Sequence, residues 1–297
     1  MRKLLGFLVV LVFVSGASAL FEPIFVGGKY VGVGGANITE VNDPYAMIYN
    51  PSGLSYIKGI AFSVSYSEPF GVPGMSLVNV NLAGNIFDIF QTGVSLSAYG
   101  VNPDVGVGLY YSTLGISFAK KFGFEVDVLD EVSVGLTGKL LRLSLSGYEI
   151  ETSLNGDKVG FSMDVGASIS LVEENFKIAV VGYNLVPYTF SFIGGTNGTQ
   201  IFSGLGVGAS LYLVKPYMKV FSSYTLGLNS NSSSSLSVGT EISYADTIFT
   251  RIGLKDNNIT MGLGLKGPGF EINFGVQNRG NLGWYYQIDV LGFVDIF

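Results

Sequence analysis

The chain has 297 residues, of which only 13% are charged, and it carries 42 glycines, 17 tyrosines and 22 phenylalanines under a positive mean hydropathy. A water-soluble domain needs a more charged surface, and a net charge of −6 without a Lys/Arg cluster leaves no footprint for nucleic acid. Cysteine and histidine are both absent, which excludes disulfides, thiolate metal sites and the imidazole base of Ser-His or Asp-His hydrolases.

Residues 1–19 read as a Sec signal peptide. Arg2 and Lys3 form its positive region, Leu4 to Val14 its apolar stretch, and Ala17-Ser18-Ala19 a cleavage site. Beyond it no apolar run approaches the roughly 20 residues of a membrane helix. Backbone that meets lipid must be hydrogen-bonded within the fold, so a closed barrel is the structure left for so apolar a chain.

Residues 20–59 are glycine-rich and show no strand pattern, as in Gly32-Val33-Gly34-Gly35-Ala36 and Asp43-Pro44-Tyr45-Ala46-Met47-Ile48-Tyr49-Asn50-Pro51-Ser52-Gly53-Leu54. Their apolar side chains must be buried somewhere, and a barrel lumen is the available place. The segment is therefore expected to be a hatch in the lumen.

Residues 60–297 break into short alternating segments. In Phe161 to Leu171 the odd positions are apolar and the even ones small or polar, and Ile259, Met261, Leu263 and Leu265 alternate with Thr260, Gly262, Gly264 and Lys266. A soluble sandwich also alternates, but its outward face is charged, whereas the polar face here is mostly Gly, Ser, Thr and Asn. Fourteen strands are expected, near 60–67, 75–84, 91–100, 106–119, 132–147, 160–171, 176–185, 202–213, 216–226, 236–244, 247–255, 258–266, 269–277 and 283–293. Tight turns should follow even strands and longer loops odd ones, and Lys215-Pro216, Ala245-Asp246 and Gly267-Pro268 against Tyr148 to Val159 and Val186 to Ile201 agree. Two features fit less well: Lys120 to Glu131 is long for a tight turn, and the phase inverts at Leu140-Leu141, where a β-bulge is expected. Tyr66, Phe70, Tyr110, Tyr148, Tyr183, Tyr217, Tyr244 and Trp284 sit where an interfacial aromatic girdle would lie.

Eight charges fall on the phase that should face the lumen: Lys139, Asp164, Glu241, Arg251, Lys255, Lys266, Glu271 and Asp289. Charge beside lipid is costly, so inward placement is expected whatever the function. They should brace the barrel and tie down the hatch, with Arg251 or Lys255 able to meet a carboxylate ligand. No carboxylate pair is marked out for glycoside hydrolysis, so no catalytic residue, metal ligand or cofactor is assigned and the chain is not expected to be an enzyme.

The N-terminal pattern Gly32 to Ala36, Asp43 and Asn50-Pro51-Ser52-Gly53-Leu54 resembles the "GmGgA…D…NPAGL" signature of the long-chain fatty-acid transporter (FadL-like) superfamily of outer-membrane proteins, with Ser52 in place of the usual alanine. Gly239-Thr240-Glu241, Tyr244, Arg251-Ile252-Gly253, Gly262-Leu263-Gly264-Leu265, Glu271-Ile272-Asn273-Phe274 and Leu282-Gly283 are similar to the last hairpins of that family, especially its PorV-like branch. The resemblance implies a fourteen-stranded barrel whose hatch, around Gly34, Gly35, Asp43, Asn50, Pro51, Gly53 and Leu54, blocks the lumen.

The expected function is an outer-membrane channel or transporter for hydrophobic compounds such as long-chain fatty acids. The alternatives are a PorV-like scaffold that delivers secreted proteins to the surface, or a structural membrane protein. The partners expected are membrane lipid, a hydrophobic ligand reached through apolar outer loops such as Val186 to Ile193 and Glu68 to Pro73, and the barrel-assembly machinery of a bacterial outer membrane, which reads a terminal aromatic such as Phe297.

Overall fold

The computed structural model describes residues 26–69, 74–85, 89–101, 107–124, 128–147, 156–190, 199–229, 232–280 and 283–294. The expected signal peptide, the chain's last three residues, Phe70 and Tyr148 lie outside them.

Fourteen strands close into one antiparallel barrel, as the alternation requires. They are β1 (Ile60–Glu68), β2 (Met75–Asn85), β3 (Gln91–Val101), β4 (Val107–Gly123), β5 (Leu129–Gly147), β6 (Gly156–Leu171), β7 (Phe176–Tyr183), β10 (Gly204–Val214), β11 (Met218–Gly227), β12 (Ser235–Tyr244), β13 (Ile248–Lys255), β14 (Asn258–Gly267), β15 (Phe270–Asn278) and β16 (Trp284–Val294). β1 pairs with β16 from Ile60–Val294 to Glu68–Tyr286, so no edge is left unpaired at the closure. Two further short strands, β8 (Thr189–Phe190) and β9 (Thr199–Gln200), pair only with each other inside the connection from β7 to β10.

The barrel is apolar outside and polar inside. On β1, Phe62, Val64 and Tyr66 are exposed while Ser63, Ser65 and Ser67 are buried. The same alternation recurs on β14, where Ile259, Met261, Leu263 and Leu265 face out. In water such a belt would be a very large apolar patch; beside lipid it is what a spanning wall needs. Tyr66, Tyr110, Tyr217, Tyr244 and Trp284 are exposed as a girdle requires, but Tyr183 turns inward and donates its hydroxyl to the carbonyl of Tyr49 at 2.7 Å.

The long turn expected at Lys120 to Glu131 shrinks to residues 124–128, because β4 runs to Gly123 and β5 starts at Leu129. The bulge expected at Leu140-Leu141 is absent: β5 keeps an unbroken register there with both β4 and β6, and its one shift lies between Leu129 and Glu131. What inverts is the surroundings. Towards the long-connector end the outward face accepts Arg142, which is exposed and paired with Asp157, while Leu141 and Leu143 are buried on the inner face. At about 3.3 Å per residue and a tilt of about 40°, the 10 residues of β11 rise roughly 25 Å, the height of a membrane band, whereas the 19 of β5 rise nearly twice as far.

Residues 26–57 lie inside this wall. They form α1 (Gly28–Gly32), α2 (Ala46–Tyr49) and a 3-10 helix over Pro51–Tyr56. α1 packs on β13 to β16 and the 3-10 helix on β3 to β6. Tyr30, Val31, Tyr45, Met47, Tyr49 and Leu54 meet Ala61, Leu77, Tyr285 and Leu291 of the wall in the main apolar cluster.

Candidate functional site

The seven residues singled out in the N-terminal segment are all buried. Asn50 caps the 3-10 helix: its Oδ1 accepts from the Ser52 N–H at 3.2 Å and the Ser52 hydroxyl at 2.8 Å, and Pro51 holds the first helical position, where no donor is needed. Its Nδ2 donates to the Ile38 carbonyl at 2.8 Å, which ties the two halves of the segment together. A Cβ on Gly53 would collide with the Val41 carbonyl, so the backbone crossing there admits only glycine. Gly34 and Gly35 take φ of +69° and +75°, a region other residues avoid. Asp43 accepts from the Tyr45 N–H at 3.0 Å, from Lys29 at 3.3 Å and from the Tyr30 hydroxyl, binding α1 to α2.

The wall is cut to receive this segment. Gly135 faces Pro51, Gly166 faces Asn50, and Gly239 and Gly253 face Val33, each too close for a Cβ. Ser52, Ser55 and Tyr56 meet Ser168, Ser133 and Ser170 at 3.1, 3.0 and 3.2 Å. The inward glycines and serines that look like filler along the strands are therefore the imprint of the segment.

Four of the eight predicted charges join one network. Arg251, its side chain 1% exposed, donates to Glu241 at 2.6 Å, to Asn273 at 2.7 Å and to Glu271 at 3.4 Å. It reaches from β13 to β15 across the β14 glycines Gly262 and Gly264. Asn273 donates on to Asp289 at 3.2 Å, and Asp289 accepts the Gly28 and Lys29 N–H groups that open α1. Lys139 and Asp164 form a separate buried pair. Lys255 ends β13 at the long-connector end, and Lys266 lies half-exposed at the short-turn rim, bonded to Asp246 at 3.0 Å.

The Lys139–Asp164 pair stands where the wall is interrupted. β7 pairs with β6 only from Val165 downward, and β10 begins opposite Tyr183. Asn184 leaves the sheet at φ +47°; its N–H donates to Asp164 at 2.7 Å, its Nδ2 to the Phe202 carbonyl at 2.7 Å, and Lys139 donates to its Oδ1 at 3.1 Å. The chain then runs along the open edge of β6, with the Leu185 N–H on the Met163 carbonyl at 2.8 Å and the Ser162 hydroxyl on the Val186 carbonyl at 2.8 Å. It tucks Phe190 and Ile201 against Leu141 and Leu143, flanked by Tyr111 and Tyr188. This apolar cluster occupies the inner face near the long-connector end. The phase inversion at Leu140-Leu141 was one signal in the sequence and the apolar loop Val186 to Ile193, which carries Tyr188 and Phe190, was another; that the two meet on the inner face was not legible.

At the opposite end, Glu40 pairs with Lys219 and accepts from the Ser210 hydroxyl at 2.7 Å. Burial opposes ionisation of Glu40, but Lys219, Lys177 and these hydrogen bonds outweigh it and hold its carboxyl below the usual range. Lys29, Glu40, Lys219 and Asn273 were not predicted as site residues. Lys219 and Asn273 lie on the inward phase of their strands, which is the signal that could have found them. Among the described residues no group of three or more Asp or Glu could hold a metal ion.

No family model matches the chain, and no curated protein matches it. Solved structures do match. The monoaromatic hydrocarbon channel CymD is 12% identical with a TM-score of 0.63, over 93% of this chain and 99% of CymD. The toluene transporter TbuX of Ralstonia pickettii is 15% identical with a TM-score of 0.59, over 90% of this chain and 98% of TbuX. A FadL homologue from Pseudomonas aeruginosa is 12% identical with a TM-score of 0.60, over 93% of this chain and all of that one. At such identities the likeness is one of architecture: the chain has the fold of solved channels and transporters for small hydrocarbons.

Proposed function

We propose that the protein is an outer-membrane channel for small hydrophobic compounds and not an enzyme, exported by its signal peptide and inserted by the barrel-assembly machinery. The observation that carries this reading is the apolar cluster of Leu141, Leu143, Phe190 and Ile201 on the inner face of the barrel, beside the interruption between β6 and β10. A polar lumen has no need of such a cluster, and it is where an apolar molecule from outside would first be held. Residues 20–59 act as the hatch, and Asn50, Pro51 and Asp43 keep it seated. Because the hatch closes the lumen below, a ligand held at the cluster leaves through the wall at Asn184 or waits for the hatch to shift. CymD and TbuX, described as a hydrocarbon channel and a toluene transporter, support small aromatics as cargo; the motif resemblance adds long-chain fatty acids.

A second reading, a PorV-like scaffold for surface delivery of secreted proteins, draws on the tall wall of β4, β5 and β6, with 17, 19 and 16 residues against 8 to 11 elsewhere in the barrel. Uptake of radiolabelled toluene and oleate by bacteria expressing the protein separates the two. Channel function predicts uptake above the empty-vector level, lost in a correctly assembled Leu141→Asp, Leu143→Asp variant. Uptake no greater than that of the empty vector would discard the channel reading and leave the scaffold.

A further inference from the structure

A recess lies at the short-turn end, between the N-terminal segment and β10, β11 and β12, with a volume of about 100 Å³. It shares no residue with the apolar cluster at the other end of the lumen. Its charged residues are Lys29, Glu40, Lys219 and Glu241, and each is already matched: Lys29 by Asp43, Glu40 by Lys219, Glu241 by Arg251. The two positive and two negative groups cancel, so an ion entering would lose hydration without meeting an uncompensated opposite charge.

Asn37 also lines the recess and is 2% exposed, yet its Nδ2 makes no hydrogen bond. Buried donors are nearly always satisfied in native proteins, so this one marks a place for an acceptor. Around it Val33, Tyr212 and Phe221 provide aliphatic and aromatic surface. The volume equals roughly three waters' share of liquid, which limits an occupant to a small molecule whose outer part stays in the mouth of the recess.

We propose that this recess binds a neutral small molecule with an apolar body and one hydrogen-bond-accepting oxygen, the class of a phenol or an aryl alcohol. The oxygen accepts from Asn37 Nδ2 and the ring lies against Val33 and Phe221. A plain hydrocarbon would leave Asn37 unsatisfied, and a carboxylate would arrive with a charge that nothing here neutralises. The site stands independently of the channel reading, since it requires no transport.

Fluorine NMR of the detergent-solubilised protein with 4-fluorophenol, 4-fluorotoluene and 4-fluorobenzoate tests it. Saturable 4-fluorophenol binding is expected, weakened roughly five- to tenfold by Asn37→Leu, which keeps the side chain's size and removes the donor. The Asn37→Leu substitution should leave 4-fluorotoluene unaffected, and 4-fluorobenzoate should bind more weakly than the phenol. Phe221→Ala, on the wall, reads the same site through the ring contact if the Leu variant does not assemble, and should also weaken the phenol. Absence of saturable phenol binding would mean that Asn37 meets only water, and the proposal fails. Phenol binding indifferent to both substitutions, or matched by benzoate, overturns it equally.

Discussion

Replacing Arg251 by methionine should strongly destabilise the barrel. The side chain is 1% exposed and holds three acceptors, at 2.6 Å on Glu241, 2.7 Å on Asn273 and 3.4 Å on Glu271. Methionine keeps much of the length and apolar volume but strands two carboxylates, and removing one partner of a buried ion pair costs about 3–5 kcal/mol. Glu241 is 19% exposed and reaches some water, so the lower end, about 3 kcal/mol or roughly 150-fold in the folding equilibrium, is expected. Glu271→Gln alone should cost less, about 1–2 kcal/mol, because Arg251 retains Glu241 and Asn273. Combining it with Arg251→Met should recover part of the loss, since one stranded charge is gone. The chain's single tryptophan, Trp284, stands on the lipid-facing side of β16, so its fluorescence reports urea unfolding in phospholipid vesicles. An Arg251→Met protein within about 1 kcal/mol of wild type at the same urea dependence would refute a dry, closed network and mean that water reaches these groups.

Two further outcomes follow from the local geometry. Asn50→Ala removes the cap of the 3-10 helix and the bond to Ile38 together, so about 1–3 kcal/mol should be lost, with hydrogen exchange rising at residues 51–57 while the strands stay protected; unchanged exchange there would show that wall packing alone seats the segment. Ala245 sits at φ +51° in the turn between β12 and β13, a conformation glycine adopts without strain, so Ala245→Gly should gain about 0.5–1 kcal/mol in the same urea titration, and a loss would mean that the methyl group is packed.

Much of the wall was legible because its physics is local. A period of two, apolar on one phase and small or polar on the other, fixes strand direction relative to lipid whatever the neighbours are, and strands of 8 to 19 residues separated by turn residues could be counted along the chain. The capping half of Asn50 is local too, since its Oδ1 accepts only from Ser52, whereas the bond of its Nδ2 to Ile38 was not legible. The failures came where a residue's surroundings depend on distant chain. The phase inversion at Leu140-Leu141 looked like a β-bulge, yet the register is intact there, and Phe190 and Ile201 cover Leu141 and Leu143 from within. Tyr183 fitted a girdle only by its nearness to a strand end; it shares the inward phase of β7 with Lys177, Ala179 and Val181, which points it towards Tyr49.

What the sequence determined by itself is therefore a fourteen-stranded barrel with an apolar exterior, a polar interior and charges facing in. Only the tertiary structure decided which inward groups meet: Arg251 reaching over the β14 glycines to Asn273, Asp289 holding the start of α1, and Asn37 left without an acceptor. The reason is that closure brings together strands and segments up to 261 residues apart, and the contacts across the lumen follow from the register of the whole ring, which no local pattern encodes.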